Sequence, residues 1–277
     1  MMKKFIIPIL TALVLVSCEE KEVIIPDFFV PATGKIVLLE DLTGVKCPNC
    51  PKAAYEIESL LEEFPSNLVA VGIHGTRLTQ PIEGYSQYDF RNQFSIDLED
   101  YHYPAWGKPG LLVDRVLFDG EDYPATPIVE NVKSYVVQEL NKEQEIELFL
   151  SKDYDEGSRQ LDLKVGILPL VNLSGNLRIS VFITESHIID AQENNSGIIE
   201  DFEHNHVLRT MLTAYNGDPL PTSLKESQPI NENFSYQLPE DNTGLWNEDN
   251  IDIVVAIGYE GTAGHRDIIQ AASISLK

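Results

Sequence analysis

Lys35-Ile36-Val37-Leu38-Leu39-Glu40, followed after a six-residue turn by Cys47-Pro48-Asn49-Cys50-Pro51, is the stretch that decides the fold. Four apolar residues without alternation read as a strand buried on both faces. From Pro48 to Phe64 apolar residues recur at Ala53, Ala54, Ile57, Leu60, Leu61 and Phe64, the period of an amphipathic helix with Pro48 suited to its first turn. Pro65-Ser66-Asn67 stops that helix, and Leu68 to Ile73 supplies a second buried strand. Strand, helix and strand make a parallel βαβ unit with a right-handed crossover.

The cysteine pair sits where this unit carries chemistry. A thiol at a helix N-terminus faces unpaired backbone N–H groups and the positive end of the helix dipole, which favour the thiolate. Cys47 would then be the nucleophile and Cys50, one turn in, the resolving thiol. Parallel strands end on one edge, so His74, which closes the second strand, should neighbour the pair and could tune it or join it on a metal. The balance of types favours a His satisfied by loop backbone, and no metal site is expected.

The strand–motif–helix arrangement resembles the thioredoxin fold. That resemblance covers residues 35–142 and implies a cis-proline ahead of the third strand, packed against the Cys-x-x-Cys. Lys108-Pro109 before Leu111-Leu112-Val113 fits the pattern, with that strand running to Phe118 and a closing helix from Ile128 to Leu140. Two features depart from it. Val45-Lys46 stands where a Trp commonly precedes the first Cys, and Pro51 follows the second directly. The segment from Gly75 to Lys108 is long enough to lie over the disulfide. Both a redox pair and a structural disulfide remain open from these residues.

Past Glu143 the helical period vanishes. Seven short alternating runs follow, at Glu145–Leu150, Gln160–Ile167, Leu177–Thr184, His206–Leu212, Asn233–Leu238, Ile251–Tyr259 and Ile268–Leu276. Turns such as Ser174-Gly175-Asn176 and Asn216-Gly217-Asp218 separate them, the pattern of an antiparallel sandwich over residues 143–277. Alternation would put His204 and His206 on one strand face. No third ligand accompanies them, and a structural role is expected.

The N-terminus places this molecule. Lys3 and Lys4 precede an apolar run from Phe5 to Val16, too short to span a bilayer, which ends in Leu15-Val16-Ser17-Cys18. That ending resembles the lipobox of bacterial lipoproteins. It implies that residues 1–17 are a signal peptide, that Cys18 is acylated, and that residues 18–34 are a tether to a membrane. Of three cysteines, Cys47 and Cys50 are then left to pair with each other in an oxidising compartment. With 20 basic against 44 acidic residues and a net charge of -24, the surface repels nucleic acid. No phosphate-binding loop, Ser-His-Asp order or His-Glu-x-x-His motif is present, and no cofactor is expected.

Several further segments share one resemblance. They are Glu40-Asp41-Leu42-Thr43-Gly44 leading into the cysteines, Val113-Asp114-Arg115, Val181-Phe182-Ile183-Thr184-Glu185, His204-Asn205-His206-Val207-Leu208-Arg209, and Ile269-Gln270-Ala271-Ala272. Together they are similar to the outer-membrane lipoproteins of Bacteroidota named after a twenty-eight-kilodalton outer-membrane protein. The resemblance implies an α/β thioredoxin-like domain followed by an all-β immunoglobulin-like sandwich on a lipid anchor. It further implies surface binding or adhesion, towards an unidentified protein or surface ligand, more than catalysis. The alternative is a membrane-tethered thiol–disulfide oxidoreductase. Glu19-Glu20 after Cys18 is similar to the export signal that sends such lipoproteins to the cell surface.

Mass spectrometry of the N-terminus of protein isolated from membranes should find a diacylglyceryl group on Cys18. A mature chain beginning elsewhere, or a Cys18→Ser variant that stays membrane-bound, would contradict the lipobox reading.

Overall fold

The computed structural model describes residues 34–102, 107–240, 244–261 and 265–277, so the signal peptide, Cys18 and most of the tether lie outside the described residues. The chain is mostly β-sheet with few helices. Strand β1 (Val37–Leu42), helix α1 (Cys50–Glu63) and strand β2 (Leu68–Ile73) form the parallel βαβ unit, with Val37 opposite Leu68 and Leu42 opposite Ile73. The helix begins at Cys50 rather than Pro48, so Pro51 takes the first-turn position, where a missing N–H costs nothing. Helix α2 (Gln93–His102) lies in the long insertion. Strand β3 (Gly110–Val113) then pairs antiparallel to β1, β4 (Ala125–Thr126) flanks β3, and helix α3 (Val129–Leu140) closes this half. Strand β3 stops five residues short of the expected Phe118 because Asp114 and Arg115 turn the chain at φ 47° and 57°.

The second half runs β5 (Ile146–Asp155), β6 (Gln160–Pro169), β7 (Leu173–Ser174), β8 (Leu177–Glu185), β9 (Ile188–Asn194), β10 (Gly197–His204), β11 (Val207–Met211), β12 (Asp218–Pro219), β13 (Ser223–Leu224), β14 (Ile230–Gln237), β15 (Ile251–Tyr259) and β16 (Ile268–Ser275). Strands β14, β6 and β5 make a separate three-stranded sheet, and β9 pairs with β10 as a hairpin. The sandwich expected for residues 143–277 is present in this sense. Leu148, Leu150, Leu163, Val165 and Ile167 of the small sheet pack on Ile179, Val181, Ile183, Ile253, Val255 and Ile257.

The expected boundary near residue 143 does not separate the sheets. One nine-stranded sheet runs β16-β15-β8-β11-β2-β1-β3-β4, with β12 beside β8, and so joins the two halves. The joint is narrow. Val207 pairs parallel with Gly72, and the Gly72 N–H donates to the His206 carbonyl at 2.7 Å. Beyond the joint the halves lie face to face: Leu38, Val69, Val71 and Leu112 pack on Phe182, Leu208, Val254, Ala256 and Ala271. The opposite face of β1–β3 is covered by α1 and α3 through Ala53, Ile57, Leu60, Val132 and Val136. Strands β8 and β15 are therefore middle-layer strands, with only Arg178, Asp252 and Tyr259 less than fully buried along them. Strands β5 and β14 alternate and face solvent on one side. No helix among the described residues is long and apolar enough to cross a membrane.

Buried polar contacts pin the faces together. Lys35 pairs with Asp114 at 2.8 Å and donates to the Ile268 and Ile269 carbonyls of β16. Asp114 accepts from the Leu38 N–H, and Gln270 accepts from the Ile36 N–H, each at 2.8 Å. Arg115 makes two 2.7 Å bonds to Glu40 on β1. Removing one partner of a buried pair strands the other, so Lys35→Met should lower unfolding free energy by about 3 kcal/mol at pH 7. Lys35→Met with Asp114→Asn should recover part of that loss. Urea denaturation checks both, and a Lys35→Met change below about 1 kcal/mol, the scale of an exposed pair, would contradict the role given to it.

Candidate functional site

Cys47 and Cys50 form a disulfide at the mouth of α1, and their residues are 0% and 1% exposed. Backbone bonds fix the turn that carries them: the Cys47 N–H donates to the Gly44 carbonyl at 3.0 Å and the Lys46 N–H to the Leu78 carbonyl at 2.8 Å. Only glycine fits at position 44, because a Cβ there would stand 2.4 Å from the Leu78 oxygen.

Two pieces of chain seal the motif. The insertion after β2 contributes the Leu78 carbonyl to the turn and packs Ile82 and Phe90 around Val45. The β9–β10 hairpin, which the strand reading did not contain, contributes more. Gln192 of β9 donates to the Gly44 and Cys47 carbonyls at 3.2 and 3.1 Å, and the Glu193 N–H donates to the Val45 carbonyl at 2.7 Å. Val45 is buried among Ile82, Phe90, Ile188 and Ala191. Asp190, fully buried, accepts the Gln87 and Tyr88 N–H groups and ties the hairpin to the insertion. The sequence signal was present: Asn194-Asn195-Ser196-Gly197 is a turn cluster between two β-branched, polar-alternating runs.

The Lys108–Pro109 peptide bond is cis, and Pro109 is buried. Lys108 pairs with Glu99 at 2.8 Å and donates to the Thr43 carbonyl, just ahead of the cysteine turn. His74 is buried and lines, with Cys50, a cavity of about 200 Å³ enclosed by α1, the end of β2 and the β9–β10 hairpin. Asp41, Tyr55, Glu58, Gln192, Phe202 and His204 also line it. The His74 ring stands 6.0 Å from that of His204 and 5.0 Å from that of Phe90. His204 and His206 do not share a strand face. His204 ends β10 and turns inward, whereas His206 sits in the following turn at φ 55°, 3.4 Å from Glu58. Among the described residues no three His, Cys, Asp or Glu side chains converge to hold a metal ion.

Burial disfavours the charged form of each group on this floor. It drives His74 well below the usual imidazole range, helped by the nearby His204 and Lys108. It lowers His204 to about 4 against the opposing charge of Asp190. It raises Asp41 to about 7, against Lys108 and a hydrogen bond from Thr43. Asp41 was not singled out in the sequence, although a carboxylate at the end of an apolar run, six residues before Cys47, was visible there.

A family model described as outer membrane protein Omp28 matches residues 100–274. No curated protein matches the chain. Among solved structures, HBP35 of Porphyromonas gingivalis aligns at a TM-score of 0.65 and 17% identity, over 88% of this chain and 76% of that one. A protein of Agrobacterium tumefaciens aligns at 0.57 and 8% identity, over 89% and 97%. A domain of the outer membrane lipoprotein Omp28 from Porphyromonas gingivalis aligns at 0.33 and 13% identity, over 47% and 87%. The first two likenesses show that the fold as a whole is shared.

The raised value for Asp41 sets a pH dependence. The native state holds this proton more tightly than the unfolded chain, so stability present below pH 4 is lost as pH rises through 7. Asp41→Asn removes the loss. It should stabilise the protein at pH 8 by up to about 4 kcal/mol, taking roughly 1.4 kcal/mol per pKa unit, and the gain should shrink towards pH 4. Chemical denaturation of both proteins at pH 4.5 and 8 measures this. A gain independent of pH would contradict the assignment.

Proposed function

The chain belongs to the family of outer membrane protein Omp28, and from that premise we propose that it is a lipid-anchored binding protein of the outer membrane in which Cys47–Cys50 is a structural staple. Its acyl group is on Cys18, and Glu19-Glu20 directs it to the cell surface, where it meets a protein or surface ligand. Its first half is a thioredoxin-like unit and its second an immunoglobulin-like sandwich, sharing one sheet. Pro109 belongs to the packing under the motif in this reading.

One observation carries the non-catalytic part: Cys47 is 0% exposed beneath Gln192 of the β9–β10 hairpin. Disulfide exchange requires a thiolate to reach a sulfur in line with the bond, and a sealed sulfur offers no approach. Asp41 favours the second reading, a tethered oxidoreductase. Its carboxylate, beside the same cavity as Cys50, could take the Cys50 proton so that the Cys50 thiolate attacks the Cys47 sulfur of a mixed disulfide, re-forming Cys47–Cys50 and releasing the partner's thiolate. That step needs Cys47 uncovered first.

Insulin reduction by dithiothreitol separates the two. The full chain should add no rate beyond that of the reductant, whereas acceleration abolished by Cys47→Ser would establish the oxidoreductase. Cys47→Ser with Cys50→Ser should lower stability by no more than about 3 kcal/mol, because the closed loop is very short. A larger loss in urea denaturation would mean that the bond organises more than its own turn.

A further inference from the structure

The floor of the cavity beside the disulfide carries polar atoms that nothing among the described residues satisfies. His74 Nδ1, His204 Nε2 and Asp41 Oδ1 are buried without a hydrogen-bond partner, in residues 3%, 5% and 5% exposed. Leaving such a group unpaired costs about 1–3 kcal/mol, so three at one site mark a place built to receive hydrogen-bonding groups. The wall opposite is different. Tyr55 and Phe202 stand with ring centroids 5.9 Å apart, and Ile57 and Ala54 continue an apolar surface along α1. A cavity polar at one end and apolar along its side fits an amphipathic molecule better than a cluster of waters, which need two to four polar partners each.

Size, charge and coordination narrow the occupant. The volume is about 200 Å³, and an apolar cavity of roughly 150 Å³ accommodates benzene, so one ring or two fused rings fit. Burial disfavours both the cationic imidazoles and the anionic carboxylate on the floor, so a charged group entering there would meet the same penalty. Glu58 and Glu203 on the lining add repulsion towards anions. Among the described residues no three His, Cys, Asp or Glu side chains converge there as metal ligands.

We infer that this cavity binds a small uncharged aromatic molecule with a hydrogen-bond donor at one end, of the phenol or indole class. Its ring lies against Tyr55 and Phe202, and its O–H or N–H is accepted by the unpaired nitrogen of His74 or His204. The inference rests on the binding-protein reading and gives it a site and a ligand class.

Calorimetric titration of the oxidised full chain in detergent, with indole and phenol as probes, tests it. Saturable one-to-one binding, with phenol displacing indole, is expected. N-methylindole keeps the ring and loses the donor, and it should bind at least about tenfold more weakly. His204→Leu should weaken indole binding by a similar factor. If that variant does not fold, the N-methylindole comparison on the unaltered protein decides. Absence of saturable indole or phenol binding up to 10 mM, or equal affinity for indole and N-methylindole, overturns the inference. A chain that accelerates insulin reduction yet discriminates the two indoles loses only its non-catalytic reading. A chain inert towards insulin that binds neither probe loses only this site.

Discussion

The structure depends on strands β8 and β15 being buried on both faces. One side of that layer fills the sandwich with β5, β6 and β14, and the other closes over β1, β2 and β3. The first-half sheet has helices α1 and α3 on one face only. Without the middle layer Leu38, Val69, Val71 and Leu112 would meet water, at roughly 1.5–3 kcal/mol for each large side chain. The first half therefore cannot cover the second face of its sheet by itself, and the narrow hydrogen-bonded joint at Gly72 is secondary to this burial. Lys35, Gln270 and Asp114 add specificity, fixing where β16 lies against β1 by bonds that only one register satisfies.

The same arrangement determines what happens to the disulfide. The run from His204 to Arg209 leaves the hairpin, crosses the joint and enters β11. Along it His204 faces the cavity, Asn205 accepts the His187 N–H at 2.8 Å, His206 receives the Gly72 N–H, and Arg209 pairs with Glu185 at 3.3 Å. His206 and Val207 thus tie this run to the first half at Gly72, and Val207 to Arg209 tie it to β8. The hairpin in turn carries Gln192 over Cys47. This cover lies over the Cys-x-x-Cys turn at the mouth of α1, and the space left beside it is a cavity floored by buried polar groups.

The βαβ unit was legible because Val37–Leu39 and Val69–Val71 are continuous apolar runs and α1 has a clear period. The same criterion, applied to Val181-Phe182-Ile183 and Ile253-Val254-Val255-Ala256-Ile257, would have revealed the middle layer. Reading those runs as alternating strands placed one face in solvent and so left two separate domains. The hairpin was missed although its turn cluster at Asn194 to Gly197 was visible, because Ile188 to His204 mixes polar and apolar residues with an irregular alternation. The cysteines and His74 could be read from spacing and strand ends. Gln192 and Phe202 could not, since their roles arise from contacts between halves distant in sequence.

The cover over Cys47–Cys50 is held by the hairpin and by the packing that carries it, so the bond is expected to meet solvent only when that packing opens. The most direct test of this is the rate at which dithiothreitol reduces the bond in the full chain at increasing urea, below the unfolding midpoint. If the bond is exposed only by global opening, the logarithm of the rate rises with urea at a slope equal to the equilibrium m-value. A rate that is independent of urea and close to that of an unstructured peptide disulfide would contradict the account.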